Sequence, residues 1–401
     1  MPELLYEPRE GLPPLCTTVE EIASAARLLE SGVGPFAIDT ERASGFRYDD
    51  RAFLLQIRRR QAGTVLIDPS VHPEAVTQHL GKAINSHTWI IHAAPSDLPC
   101  LRELGLRPSN IFDTELAGRL MGMPRVNLAA MSEEIVGLTL LKGHGAEDWS
   151  RRPLPIDWLN YAALDVETLL DLADAMAELL DSQGKLEWAE QEFEHLVRME
   201  YENPRQPKQW VDLKGIGSIN DPEQLIVARE IWNAREKEAC ETDKAASRLL
   251  PDKAIVGLAL SMPQSVRAVE RSPGYPSRLR KAARKWLGIV RAARELPPSQ
   301  RPQRNPRPPR PYPAKSLWGR DYPEVLAVWD DVQSSLNSLS LQLEIPIENI
   351  LQPAALREIV WLCCTTYSIT SHDDLVQALK DHQVREWQIQ IVLEPLHRKL
   401  L

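Results

Sequence analysis

Neither a zinc-type cysteine pair, nor a membrane-length apolar run, nor a G-x-x-x-x-G-K-[ST] phosphate loop occurs in this sequence of 401 residues. The five cysteines, Cys16, Cys100, Cys240, Cys363 and Cys364, are odd in number and scattered. None has C-x-x-C spacing, and a disulfide framework is not expected in so long a chain. This usage fits a reducing cytoplasm, and Cys363–Cys364 reads as two small buried hydrophobes rather than a redox pair. No apolar stretch approaches the ~20 residues that cross a bilayer. The opening MPELLYEPREG lacks the basic-then-apolar pattern of a secretory leader, so the expected location is the cytoplasm, with no membrane partner.

Positive charge is scarce overall and concentrated in one place. The formal net charge is −9, yet Arg267–Arg320 carries 15 Lys/Arg against Glu270 and Glu295, a local excess of +13. An acidic body with one basic segment is expected where one part collects cations and another holds a polyanion; a solvated linker is the plainer reading of Arg301–Arg310.

A chain of this length implies two or three domains. The first ~200 residues read as α/β. VEEIASAARLLESG is an amphipathic helix ending near Gly32, followed by four strand-like runs: PFAIDT, FLLQI, TVLID and TWIIHAA. After Asp113 the pattern turns helical, through TELAGRLMG, NLAAMSEEIVG and one long stretch, IDWLNYAALDVETLLDLADAMAELLDSQG. Strands followed by helices predict a mixed sheet with helices packed on it. Beyond Leu186 strand patterning vanishes. Helices are expected over 215–297, an extended Pro/Arg-rich linker over 298–320, and a second helical domain over 321–401. NILQPAALREIVWL weakly repeats RLLPDKAIVGLALS at an offset of 101 residues, pairing Leu250 with Leu351, Ala254 with Ala355, Ile255 with Leu356 and Leu258 with Ile359.

Phosphodiester hydrolysis with two divalent ions needs several carboxylates at one point, because hard cations take oxygen ligands. GPFAIDTERA offers Asp39 and Glu41 at i and i+2, on one face of a strand, with Thr40 pointing the other way. TWIIHAAPSDLPCL presents Asp97 after a strand, where it could equally cap a helix; His92 reads as hydrogen-bonded scaffold. NYAALDVETLL puts Tyr161 and Asp165 on one helix face, where the phenol can position a water beside a metal-binding carboxylate. Each alone is explained by ordinary structure: a strand running into a turn, a cap, a core tyrosine near a surface acid. The three in this order are far more specific.

That order resembles the DEDD superfamily of exonucleases and, within it, the ribonuclease D family. FAIDTERASGFRY, IHAAPSDL and YAALDV match its three motifs, and GTVLIDP, IFDTELAG and DWSRRPL its connecting segments, over about residues 15–200. The resemblance implies a ribonuclease H-like α/β domain over 1–200 acting as a metal-dependent 3′→5′ exoribonuclease. Asp39, Glu41, Asp97 and Asp165 would hold two divalent ions, Mg or Mn, with Tyr161 assisting the nucleophilic water. One branch carries histidine five residues before the last aspartate; Asn160 stands there, which assigns the chain to the tyrosine branch. Asp113 reads as a helix cap. Lys142 and Trp149 match positions near the substrate path, and Lys142, Arg151 or Arg152 could touch phosphate or be ordinary surface charge.

EIWNAREKEA and RLLPDKAIVGLALSMPQS resemble the HRDC domain, an all-α module shared with RecQ-type helicases. Its last helix, PSRLRKAARKWLGIVRAARE, sets Arg278, Arg280, Lys281, Arg284 and Lys285 around Trp286 as a candidate nucleic-acid surface; a solvated helix face is the alternative. The partner implied is RNA, tRNA precursors above all, with a monomer as the default. A DNA 3′→5′ exonuclease and a catalytically silent RNA-binding adaptor are the competing readings.

Overall fold

A computed structural model describes residues 3–140, 143–204, 206–302 and 312–401. Among these, β1 (Glu3–Leu5), β2 (Leu15–Cys16), β3 (Val33–Arg42), β4 (Ala52–Arg60), β5 (Gly63–Ile67), β6 (Thr88–Ile91), β7 (Asn110–Asp113) and β8 (Leu138–Leu140) are strands. β3 pairs antiparallel with β4 and parallel with β6, giving a six-stranded mixed sheet in the order β2-β5-β4-β3-β6-β7. β1 and β8 form a separate parallel ladder. The four strand-like runs of the sequence are β3 to β6. The other four strands are two to four residues long, too short to show a period.

Alternation along the strands divides the sheet's two faces. Phe36, Ile38, Leu55 and Ile57 join one cluster with Ile22 and Leu29 of α1 (Val19–Glu30). That helix opens on a reciprocal cap, Glu21 N donating to Thr18 Oγ1 and Thr18 N to the Glu21 carboxylate. The connections then bring α2 (Leu98–Glu103) and α3 (Thr114–Leu120) to the ends of β6 and β7. Ala37 packs on the opposite face with Ile90, Val166 and Leu169, beneath α4 (Ile156–Glu167) and α5 (Leu169–Ser182). The sequence reads α4 and α5 as one helix. They separate at Thr168, whose hydroxyl shares a 2.9 Å hydrogen bond with Ser132. α6 (Leu186–Glu202) completes this part.

Two helical units follow. The first contains α7 (Pro222–Thr242), α8 (Ala246–Leu249), α9 (Asp252–Ser261), α10 (Val266–Arg271) and α11 (Ala283–Glu295). The second contains α12 (Trp318–Asp321), α13 (Pro323–Leu343), α14 (Ile347–Ile350), α15 (Pro353–Trp361), α16 (His372–Asp381) and α17 (Glu386–Leu400). The starts of α7, α8 and α9 recur at α13, α14 and α15 with a constant shift of 101 residues, the offset of the weak sequence repeat. Asp243 after α7 (φ 48°) and Glu344 after α13 (φ 56°) are both left-handed, and all eight paired repeat residues are buried.

The units differ in how they meet the sheet domain. The first closes a core of its own around Leu225, Ile231, Ile255 and Trp286. The second shares one continuous core with the sheet, Trp318, Trp329 and Trp387 clustering with Ile22, Trp89 and Phe193. Trp188 stacks on Trp387 at 4.9 Å, and Glu192 accepts from Arg385 at 2.6 and 2.8 Å and from Trp387 Nε1 at 2.9 Å. Lys185 Nζ donates to the carbonyls of Leu120 and Leu343, and Gly122 (φ +80°) lies so close that a Cβ there would fall 2.5 Å from the Glu344 carbonyl. Two short helical pieces, Lys315–Leu317 and Trp318–Asp321, fall in and at the end of the stretch expected as a linker over 298–320. Helical structure resumes at Lys315, and Trp318 is fully buried in the second unit. Much of the Pro/Arg-rich stretch lies outside the described residues. No helix among the described residues is long and apolar enough to cross a membrane.

Candidate active site

β3 delivers Asp39 and Glu41 side by side on the face covered by α4, opposite Gln56 and Leu54 of β4. After β6 the chain turns through left-handed Ala93 (φ 59°) into a tight turn that presents Asp97. Asp97 does not cap α2 with its side chain; its Oδ1 accepts from Thr40 Oγ1 at 2.5 Å. α4 supplies Tyr161 and Asp165 from successive turns. All five line one cavity of about 210 Å³, together with Thr40, Arg42, His92 and Leu128. Carboxylate oxygens of Asp39, Glu41 and Asp165 lie within 4.8 Å of one another.

Like charges this close, away from water, resist ionisation. Burial, then the charges of Asp97, Asp165 and Glu41, holds Asp39 well above the usual carboxylate range. Burial, then the charges of Asp165 and Asp97, push Glu41 up to about 9. Asp165 rises to about 7 and Asp97 to about 6, mainly through burial, against the hydrogen bonds from Tyr161 and Thr40 respectively. Tyr161 is raised by burial and the adjacent acids, so its hydroxyl remains a donor. Hard oxygen donors converging in this way, with their charges unbalanced, suit a divalent cation.

Several neighbours take roles that the sequence leaves open. Asp113 is the cap of α3, accepting from Glu115 N and Leu116 N, and it also ties down Ala93 N and Ala94 N. His92 Nδ1 is hydrogen-bonded to Thr114 Oγ1 at 2.9 Å. Arg152 is withdrawn from any phosphate role: it bonds Asp68 at 2.6 Å and the carbonyls of Trp149 and Phe53. Trp149 is fully buried against Trp158. Arg151 remains exposed, and Lys142 lies outside the described residues. Thr40, Arg42 and His144 are additions. His144 meets the Tyr161 ring edge-on at 5.8 Å, and Arg42 opposes the rise of Glu41 and Asp97. Arg42 could have been found as the next residue of the motif strand. Thr40 could not, because its partner is 57 residues away.

The proposed nucleic-acid residues sit on the first helical unit. Arg278, Arg280 and Lys281 occupy a short 3-10 turn, Ser277–Ala282, and Arg284 and Lys285 begin α11; all five are exposed. Trp286 is not part of that surface, being 1% exposed in the unit's core. Lys285 is ion-paired with Glu238.

The comparisons agree with this architecture. The family described as "3'-5' exonuclease" matches residues 15–181, the HRDC domain 224–290, and the "3' to 5' exonuclease C-terminal domain" 311–400. The molecule is therefore a nuclease-class hydrolase, an exonuclease domain carrying an HRDC domain. It is 30% identical to ribonuclease D of Gluconacetobacter diazotrophicus over 312 residues, 75% of this chain and 78% of that one. The chain belongs to the ribonuclease D family. Among the curated relatives the matched share of the relative varies, 58% in one and 78% in another. A crystal structure of a protein from Bifidobacterium adolescentis superposes with TM-score 0.85 at 34% identity, covering 100% of both chains. Escherichia coli RNase D shares the fold, with TM-score 0.65 at 22% identity over 92% of this chain and 99% of that one.

Proposed function

We propose that this chain is a 3′→5′ exoribonuclease that releases nucleoside 5′-monophosphates from RNA 3′ ends, chiefly of tRNA precursors and other structured RNAs, in the cytoplasm. The observation that carries the chemistry is the convergence of four carboxylates and Tyr161, from two strand ends and one helix, on one cavity. Asp39, Glu41, Asp97 and Asp165 would hold two divalent ions, Mg or Mn, which when bound supply Lewis-acid stabilisation of phosphate charge and an acidified water. Tyr161, still protonated and hydrogen-bonded to Asp165, would turn its one donor to that water once cations take over the Asp165 carboxylate. Thr40 fixes the rotamer of Asp97. The exposed face of Arg278, Arg280, Lys281, Arg284 and Lys285 holds the RNA backbone, and the unit over 321–401 is read as a second HRDC-like domain. The choice of RNA rests on family membership.

Labelled RNA and DNA of one sequence, each with and without chelator, test the reading. Metal-dependent shortening of RNA from its 3′ end is expected, and Asp39→Ala or Asp165→Ala should abolish it in a folded protein. Hydrolysis of DNA alone would replace the reading with a DNA exonuclease. Binding without hydrolysis at any metal concentration would replace it with an adaptor. Tyr161→Phe should be less severe than either carboxylate change.

A further inference from the structure

We propose that the first helical unit supplies positioning residues for the catalytic cavity: Asp243 and Arg248, at its α7–α8 corner, hold the segment 43–51 that leaves β3 beside Glu41. This rests on the exonuclease reading above and adds a role for residues outside the exonuclease domain.

Within the segment, Phe46 N and Arg47 N both donate to the Ala43 carbonyl at 2.8 Å, and Arg51 bonds Asp49 at 2.7 Å. The segment's glycine, Gly45, has open space where a side chain would be, and Ser44, Gly45 and Phe46 wall a cavity of about 250 Å³ that also takes in Thr40, Glu41 and Arg42. The helical unit adds a further set of ties to the segment. Asp243 accepts from both Arg51 terminal nitrogens, at 3.1 and 2.6 Å, and from Arg47 at 3.3 Å. Ala245 N donates to the Phe46 carbonyl at 3.0 Å. Arg248 Nε donates to the Gly45 carbonyl at 2.6 Å while its guanidinium lies 4.1 Å from the centre of the Phe46 ring. The exonuclease domain contributes as well: Arg47 Nε donates to Ser150 Oγ at 2.7 Å, the Arg51 guanidinium lies 4.8 Å from the centre of the Phe53 ring, and Ala43 and Phe46 pack in the cluster around Trp149.

The corner is built for this. Asp243 takes a left-handed conformation to end α7, its N–H still bonded to Cys240 O, which leaves the carboxylate free to face outward. A planar guanidinium can stack and donate at once, which an ammonium cannot. The same corner touches the basic face, since Arg278 reaches the Ser247 carbonyl at 3.4 Å. A strand gripped by that face and a cavity wall set by Arg248 are thus adjacent in the chain.

The p-nitrophenyl ester of uridine 5′-monophosphate isolates the cavity from the basic face, because it offers one nucleotide only. Water attacks phosphorus, the P–O(aryl) bond breaks, and uridine 5′-monophosphate and p-nitrophenol leave. Arg248→Ala should raise KM about fivefold with kcat within about twofold, because segment 43–51 shapes ground-state binding while Asp39 and Glu41 stay fixed in the β3 ladder. Inhibition by uridine 5′-monophosphate should weaken in parallel. Asp243→Asn, which keeps the shape of the corner, should move both in the same direction by less, and Arg248→Lys should not restore Arg248→Ala. An unchanged KM and product inhibition in folded Arg248→Ala and Asp243→Asn proteins overturns the proposal. Full activity in Arg248→Lys overturns the stacking role. A wild-type protein that fails to hydrolyse the ester with Mg²⁺ or Mn²⁺ refutes the exonuclease reading instead.

Discussion

The two helical units repeat the same opening layout, yet one is welded to the sheet domain and the other is tied on. Asp243 and Glu344 occupy the same corner of that layout, 101 residues apart, and each touches the exonuclease domain. Asp243 does so with a half-buried carboxylate gripping Arg47 and Arg51, all three side chains about a third exposed. Glu344 does so with backbone pressed on Gly122, beside a shared core and the Glu192–Arg385 pair, whose side chains are 7% and 12% exposed. Burial of apolar area and satisfied buried charge makes the second unit part of the domain; part-buried ion pairs and a few hydrogen bonds to carbonyls tie on the first, which keeps its own core.

The sharpest way to break this contrast is Glu192→Ala. Arg385 then stays buried with its carboxylate partner gone, and Trp387 Nε1 loses its acceptor. A cost of about 3–5 kcal/mol is expected, read from denaturant midpoints, with sheet and second unit unfolding together. A loss below about 1 kcal/mol would mean the weld is weak.

The metal-free acid cluster offers a pH test. Its folded pKa values are raised, mainly by burial, with Glu41 at about 9 and Asp165 at about 7. Through that window the folded state binds more protons than the unfolded one, so stability must fall as pH rises. With chelator present, the melting temperature of the exonuclease part should drop between about pH 5 and 9. Mg²⁺ should reverse the drop, since the metal displaces those protons. The first helical unit, with none of these groups, should melt independently of the change.

Charge tests the tied unit next. Replacing Arg280 or Arg284 by Ala should weaken RNA binding across sequences and reduce the slope of log affinity against log salt by about 1 per lost phosphate contact. Identical slopes would move the RNA surface elsewhere. The smallest effect is expected from Asp243→Asn on stability, about 1 kcal/mol or less, as befits a part-exposed pair; a cost near that of Glu192→Ala would erase the distinction between the units.

What the sequence revealed and what it hid divide along the range of the interactions. Asp39 with Glu41, Tyr161 with Asp165, and the cap at Asp113 are set by strand alternation or helix spacing, so local patterns reach them. Thr40 on Asp97, Arg152 on Asp68 and Arg248 on Phe46 are settled by partners 57, 84 and about 200 residues away, as tertiary pairing dictates. β2 and β7 exist because β5 and β6 offer edges, and the break at Thr168 because Ser132 meets it. Trp286 looked like part of a binding face because its neighbours are basic; helix periodicity turns it inward. Nothing in the linear pattern distinguishes a helical unit with its own core from one that lends its tryptophans to another domain.

The shared core also bears on biosynthesis. Residues 19–202 emerge from the ribosome first, but part of the apolar surface that they would bury awaits Trp318, Trp329 and Trp387. The intervening unit, self-sufficient in its core, can close while the catalytic domain is still waiting. A part made earlier is thus finished later, and the acid-lined cleft gains its full support only when α12 to α17 have left the tunnel.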